Sequence, residues 1–270
     1  MEIEESNKNH ESNSFFVSTG LGVFSILSNF RCLFCFMLIV LGVYFKKRKK
    51  STKVIYPLIV REIYKCGLIP LPIILFLSFV IGFLVVGQTI PLSELVGSEI
   101  IGNILVLVIF KEVGPLLAAT VVLIRIGIST VVELAEERAS KNLDGIVSLG
   151  IDPIHYYVIP RVLGMGCATF CLTIYLIIFA FLSGYIVVFF MDIPWKPIEY
   201  VDQIVAALLW SDFLLLALKT MFFGGLVAVA TSYEALTRPL RSQDIPKAIT
   251  RTVIDCLLGW GIIDIIFLLL

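Results

Sequence analysis

From Gly67 to Ile90 the chain carries no charged residue, and an apolar run of that length has few ways to be buried. About 20 such residues span the hydrocarbon core of a bilayer as a helix. Comparable runs lie at about Ile100 to Thr130, Tyr156 to Phe190, Ala206 to Tyr233, and Ile249 to the C-terminus. Of the 270 residues 59% are hydrophobic and 16% charged, with a mean hydropathy of +0.99. A soluble domain cannot hide that much apolar surface, so the expected fold class is an all-α integral membrane protein with about five transmembrane helices.

The segments ahead of the first run are of another kind. Residues 1–14 are polar, are expected to be disordered, and lack the features of a secretory signal peptide. Phe15 to Phe45 is apolar but broken by Ser28, Asn29 and Arg31, which favours an amphipathic helix lying in the interface over a true span. The block from Lys46 to Lys50, with Lys53, Arg61 and Lys65 behind it, suits anionic headgroups and marks a cytoplasmic side. Residues 15–66 are thus an interfacial and basic segment, and residues 67–270 the membrane domain. The loop with Glu94 and Glu99 has no Lys or Arg, whereas Arg138, Lys141, Arg161, Arg238, Arg241, Lys247 and Arg251 fall on the other side. The positive-inside rule then gives a multi-pass protein with a cytoplasmic N-terminus. So apolar a chain gives no support for nucleic-acid binding.

Polar residues interrupt the apolar sequence for long only between Phe110 and Arg161. There Ala139, Leu143, Ile146, Val147 and Gly150 follow the spacing of one helical face, with Glu136, Glu137, Ser140, Lys141, Asp144 and Ser148 mostly opposite. Gly150 reads as a stop, and Asp152-Pro153 as the N-cap and first residue of the next helix. Such an elbow either docks a soluble partner through its polar side or rests at the interface.

Charges within the apolar runs are the other clue: Lys111 and Glu112 in the second, Lys219 in the fourth, Asp255 and Asp264 in the fifth. A charge at the bilayer centre costs about 2.5–3.5 kcal/mol on insertion scales and calls for a partner or a wet cavity. Glu112 with Lys219 is the pair this predicts, either in a pathway or as a lock between helices. Gly114-Pro115 would open the helix beside it. Gly82, Gly164, Ala168, Gly184, Gly224 and Gly225 read as helix-packing positions.

Several chemistries find no support. There is no phosphate-binding G-x-x-x-x-G-K-[ST] loop, so energy for uphill movement would come from a partner or an ion gradient. Glu136-Glu137-Arg138 alone, without histidines on neighbouring spans, does not make an intramembrane protease. Cys32 and Cys35 have redox spacing but no second pair, and His10 and His155 lie in different segments. No metal site and no cofactor are expected.

The ordered series Lys111-Glu112-Val113-Gly114-Pro115, Arg125-Ile126-Gly127, Glu133, Leu143, Gly150-Ile151-Asp152-Pro153, Pro160-Arg161, Lys219, Ala248 to Val253 with Thr250 and Arg251, and Asp264 resembles the MlaE/YrbE permeases. These are membrane subunits of lipid-transporting ABC systems that work with MCE-domain proteins. The resemblance covers about residues 55 to 268. It departs at Ile124, Leu134-Ala135, Lys141-Asn142 and Asp244-Ile245-Pro246, which implies a diverged ATPase-facing surface. It implies a homodimer and a coupling helix at about 133–149, with Glu133, Glu137, Lys141, Leu143, Asp144 and Val147 toward a cytoplasmic ABC ATPase. It places Lys111, Glu112 and Lys219 in or near a phospholipid path, where the lysines would meet a phosphate and Glu112 would fix their geometry. A periplasmic MCE-domain protein and a small STAS-domain protein are further implied partners, in a bacterial inner membrane or a plastid inner envelope. The expected function is a non-catalytic permease subunit of a phospholipid transporter. A membrane scaffold and an ion-coupled secondary transporter are the rival readings.

Overall fold

The computed structural model describes residues 31–33, 35–40, 42–43, 52–96, 99–150, 152–190, 197–237 and 244–269. The tail at 1–14, the start of the expected interfacial helix and the basic block at 46–50 lie outside these residues. Every regular element among the described residues is helical. Among the described residues four helices are long and apolar enough to cross a membrane: Leu71–Thr89, Gly102–Ala139, Ile154–Phe190 and Trp210–Thr237. The helix over the fifth apolar run, α10 (Ile245–Leu268), has 24 residues, enough at 1.5 Å per residue for about 36 Å. Arg251, Asp255 and Asp264 lie along it and leave it a shorter uncharged stretch than any of the other four has.

The longest regular helix, α7 (Ile159–Phe190), is the axis of the bundle. Against it pack α1 (Thr52–Leu68), α2 (Leu71–Val96) and α9 (Trp210–Thr237), while α10 lies along α9. The approach of α7 to α9 is closest at Gly224, where an added Cβ would lie 2.4 Å from Thr169 Oγ1 and 2.5 Å from the Met165 carbonyl. Small residues let two backbones meet this way where lipid supplies no hydrophobic drive between helices. On the other side of α9, Trp260 of α10 is fully buried, stacks on Phe223 at 5.8 Å and donates its indole N–H to the Phe223 carbonyl at 3.3 Å.

The second span is a composite. It runs α3 (Glu99–Leu105), a π-helical stretch Val106–Val113, α4 (Gly114–Val122), a second π stretch Leu123–Gly127, and α5 (Ile128–Ala139). A third π stretch, Ile154–Val158, leads into α7. The first and third run into Pro115 and Pro160, each the second residue of the helix that follows. A proline ring crowds the carbonyl four residues back and removes its donor, and a widened turn is one way to relieve both.

The structure corrects the sequence reading in two places. The elbow is two helices rather than one: α5 ends at Ala139, and α6 (Asn142–Ser148) starts after Lys141, whose φ of 58° is left-handed. Asn142 Nδ2 donates to Glu137 Oε2 at 3.1 Å across the break, and Ser140 Oγ to the Glu136 carbonyl at 2.9 Å. The expected apolar face is therefore split, with Leu143 buried, Ile146 half-buried, and Ala139 and Val147 exposed. Beyond it, Gly150 takes φ 75° and ends the elbow, and Asp152 Oδ1 accepts the Ile154 N–H at 3.0 Å. The second correction is at the fourth span, which begins at Trp210 rather than near Ala206. The residues before it form α8 (Pro197–Ala207), packed on α3, with buried Tyr200 donating to the Phe181 carbonyl at 3.3 Å.

Replacing Gly224 with Val should separate α7 from α9, because neither Thr169 nor the Met165 backbone can give the missing ångström. The expected loss is about 1–3 kcal/mol or more, read as a lower thermal midpoint in detergent.

Candidate functional site

Five charged side chains from three helical segments meet inside the bundle. Lys111 and Glu112 come from the first π stretch, Asp212 and Lys219 from α9, and Asp264 from α10. Lys219 is 5% exposed and sits at the centre. Its ammonium lies 2.8 Å from Asp264 Oδ1 and 3.3 Å from Glu112 Oε2, and it donates to the Lys111 carbonyl at 2.8 Å. That carbonyl is the one Pro115, lacking an N–H, cannot serve in an α-helix. Two of these contacts are hydrogen bonds and the one to Asp264 is an ion pair, so the charge of Lys219 is met by protein oxygens on every contact within 3.3 Å. Its Nζ also lies 5.9 Å from the centre of the Phe223 ring.

Glycine is needed at 114 for the same geometry. A Cβ there would lie 2.4 Å from the Ile109 carbonyl, which the widened turn has brought onto the Gly114 N–H.

Lys111 reaches the other way, to Asp212 Oδ1 at 2.9 Å. Asp212 is buried, and its Oδ2 accepts the Leu209 N–H at 3.3 Å while its own N–H donates to the Leu209 carbonyl. This is half a capping box, with an acidic residue at the N3 position near the positive end of a helix dipole. Sequence reasoning missed Asp212 because the apolar run from Ala206 seemed to continue through it. The signal was Trp210-Ser211-Asp212, a helix start with an acid in its first turn.

All of the cluster but Asp264 lines a pocket of about 410 Å³, together with Leu107, Phe110, Leu215, Leu216 and Phe267. Lys111 and Glu112 both line it and keep 42% and 44% of their side-chain surface exposed. The site can thus offer charged groups to a polar ligand portion and an apolar wall to the rest. Among the described residues no group of three metal-ligating side chains occurs.

A second ion network ties the elbow end together. Arg161 of α7, 7% exposed, pairs with Glu62 of α1 at 3.7 Å and with Glu133 of α5 at 3.3 Å, and Lys65 of α1 also binds Glu133. Cys66, inside this network, has its thiol pushed up to about 12 by burial first and by the Glu62 carboxylate second. Arg138 donates to the carbonyls of Ala235 and Leu236 at the end of α9, a favourable place for a cation. Arg251 faces Glu234 at 4.0 Å, and Thr250 Oγ1 donates to the Pro246 carbonyl.

The expected site residues therefore separate. Lys111, Glu112 and Lys219 come together, joined by Asp212 and by Asp264. Of the residues expected to face a partner, Lys141, Asp144 and Val147 are exposed and Glu137 is half-exposed. Leu143 is 7% exposed and turned into the fold, and Glu133 is turned toward Lys65 and Arg161 instead of outward. Arg125, in the second π stretch, is exposed on the side of the bundle.

Comparison with known proteins agrees with this architecture. The family model described as Permease MlaE matches residues 59–270. A probable ABC transporter permease protein of Rickettsia prowazekii is 26% identical over 73% of this chain and 76% of its own length. A probable ABC transporter permease protein of Pyropia yezoensis is 27% identical over 81% of this chain and 83% of its own. Protein TRIGALACTOSYLDIACYLGLYCEROL 1, chloroplastic, of Arabidopsis thaliana is 26% identical over 62% of this chain and 47% of that protein.

Two results should follow from the geometry. Lys219→Met leaves the Asp264 and Glu112 carboxylates without their cation and should cost about 3 kcal/mol of stability, with Lys219→Met/Asp264→Asn recovering part of it in the same thermal assay. A maleimide at pH 8 should label Cys32 and Cys35, which are exposed outside the four spans, and spare buried Cys66, as counted by mass spectrometry of the protein after proteolysis.

Proposed function

The chain belongs to the MlaE permease family and is the permease subunit of an ABC transporter; from that premise we propose that its cargo is phospholipid, moved between membranes. The observation that carries this reading is the pocket, lined by both apolar and charged side chains. An amphipathic ligand fits that combination; a small ion would leave the apolar part unused. The name of the Arabidopsis relative points to lipid as well.

In this reading ATP is hydrolysed by a separate cytoplasmic ABC ATPase, which docks on the exposed face of the elbow. That face carries Lys141, Asp144 and Val147, with Glu137 at its edge. Leu143 anchors α6 from beneath, and Glu133 holds α5 to α1 and α7. Two copies of the chain form the working unit, an MCE-domain protein exchanges the lipid at the opposite face, and a small STAS-domain protein can join the ATPase. The assembly sits in a bacterial inner membrane or a plastid inner envelope, with the N-terminus and elbow cytoplasmic.

An ion-coupled transporter is the second reading, favoured by three carboxylates around two lysines at membrane depth. Lipid movement in proteoliposomes that follows an ion gradient with no ATPase present would support it; dependence on ATP and the ATPase would exclude it.

Val147, 55% exposed, is the position at which to test docking without disturbing the fold. Val147→Asp should lower ATPase stimulation by the reconstituted permease at least tenfold while leaving thermal stability within about 0.5 kcal/mol. Unchanged stimulation would remove the elbow from the docking surface.

A further inference from the structure

We propose that the charged side chains lining the pocket select a zwitterionic phospholipid, one with an ammonium beside its phosphodiester, over a lipid whose headgroup is only anionic. The inference rests on the lipid-carrying reading above and adds the class of headgroup. It follows from which charges remain available once the protein has satisfied its own.

The cluster holds two ammonium groups, on Lys111 and Lys219, and three carboxylates, on Glu112, Asp212 and Asp264, a formal charge of −1. An anion entering the bundle would meet an excess of its own sign. Lys219 offers it little, being 5% exposed, hydrogen-bonded to the Lys111 carbonyl and to Glu112, and ion-paired with Asp264 at 2.8 Å. Asp212 is buried and divided between Lys111 and the Leu209 N–H. Asp212 and Lys219 line the pocket but are buried, and the charges that keep most surface toward it are Lys111, which gives one contact to Asp212, and Glu112, which turns only Oε2 to Lys219. The latter two are less than two-thirds buried and both line the same cavity.

One accessible cation and one accessible anion, on consecutive residues, complement a headgroup that carries both signs. The phosphodiester oxygens pair with the Lys111 ammonium and the headgroup ammonium with the Glu112 carboxylate, each charge leaving water for an opposite one. A headgroup with phosphate alone still meets Lys111 but brings its charge beside Glu112, with Asp212 behind. Like charges held together this way cost selectivity more than they cost total binding.

The test uses the full-length protein, with whatever chains co-purify, passed through nanodiscs of equal phosphatidylethanolamine and phosphatidylglycerol of the same acyl composition. Lipid retained after return to mild detergent is then quantified by mass spectrometry. The wild type should retain phosphatidylethanolamine over phosphatidylglycerol by about threefold to fivefold, the scale of one partly exposed charge contact. Glu112→Gln, which keeps the shape and a hydrogen-bond acceptor for Lys219, should bring the ratio to about one with total lipid retained. Asp212→Asn should shift it in the same direction by removing one of the three negative charges. A wild-type ratio at or below one with lipid retained, or a ratio unmoved by Glu112→Gln, overturns the headgroup assignment and leaves lipid transport standing. Retention of no lipid by the wild type overturns the lipid-carrying reading itself, and the headgroup assignment with it.

Discussion

A lysine ammonium buried among apolar helices is the constraint around which the rest of this molecule is arranged. Left alone, Lys219 would cost several kcal/mol to hold in a low-dielectric interior. It is held because α10 brings Asp264, the first π stretch brings Glu112, and Pro115 leaves the Lys111 carbonyl in want of a donor. Each element solves a problem for another. The proline that interrupts the helix supplies the acceptor that the lysine needs, and the lysine replaces the N–H that the proline lacks. The same arrangement lets α10 carry an acid at this depth: Asp264 is neutralised where it lies.

The opposite end of the bundle is governed by a different balance. Glu62, Lys65, Glu133 and Arg161 join α1, α5 and α7 through ion pairs, and Arg138 closes the end of α9 by donating to its last carbonyls. From Asp212 to Leu236 the rise of α9 is about 36 Å, so one unbroken helix reaches from the pocket to the elbow. The charged cluster and the elbow are thus two ends of the same helices.

Much of this was legible in the sequence, for reasons that differ by residue. Lys111, Glu112 and Lys219 stood out because a charge in an apolar run has few explanations, and their pairing followed from opposite sign. Asp264 was visible as a charge, but only the packing of α10 on α9 brought it to Lys219. Asp212 was hidden by apolar neighbours that belong to no span. The break in the elbow was unreadable because a lysine in the left-handed region has no local signature, and the 3.6-residue pattern ran through Lys141 undisturbed. Glu133 looked like part of a polar surface because the basic partners that draw it inward, Lys65 and Arg161, are far from it in sequence.

The widened turns of the second span have a consequence for its buried stripe. Val106, Phe110, Gly114, Ala118, Val122, Ile126, Thr130 and Leu134 are all buried, and they recur every four residues. On a uniform α-helix that interval overshoots a full turn by about 40°, so the stripe would precess around the helix and leave the core well before Leu134. A turn closed by an i to i+5 hydrogen bond holds more residues than one closed by i to i+4. The two π stretches therefore retard the phase of the helix and keep one face in contact with α7 and α9 over a length that a straight 3.6-residue repeat could not sustain.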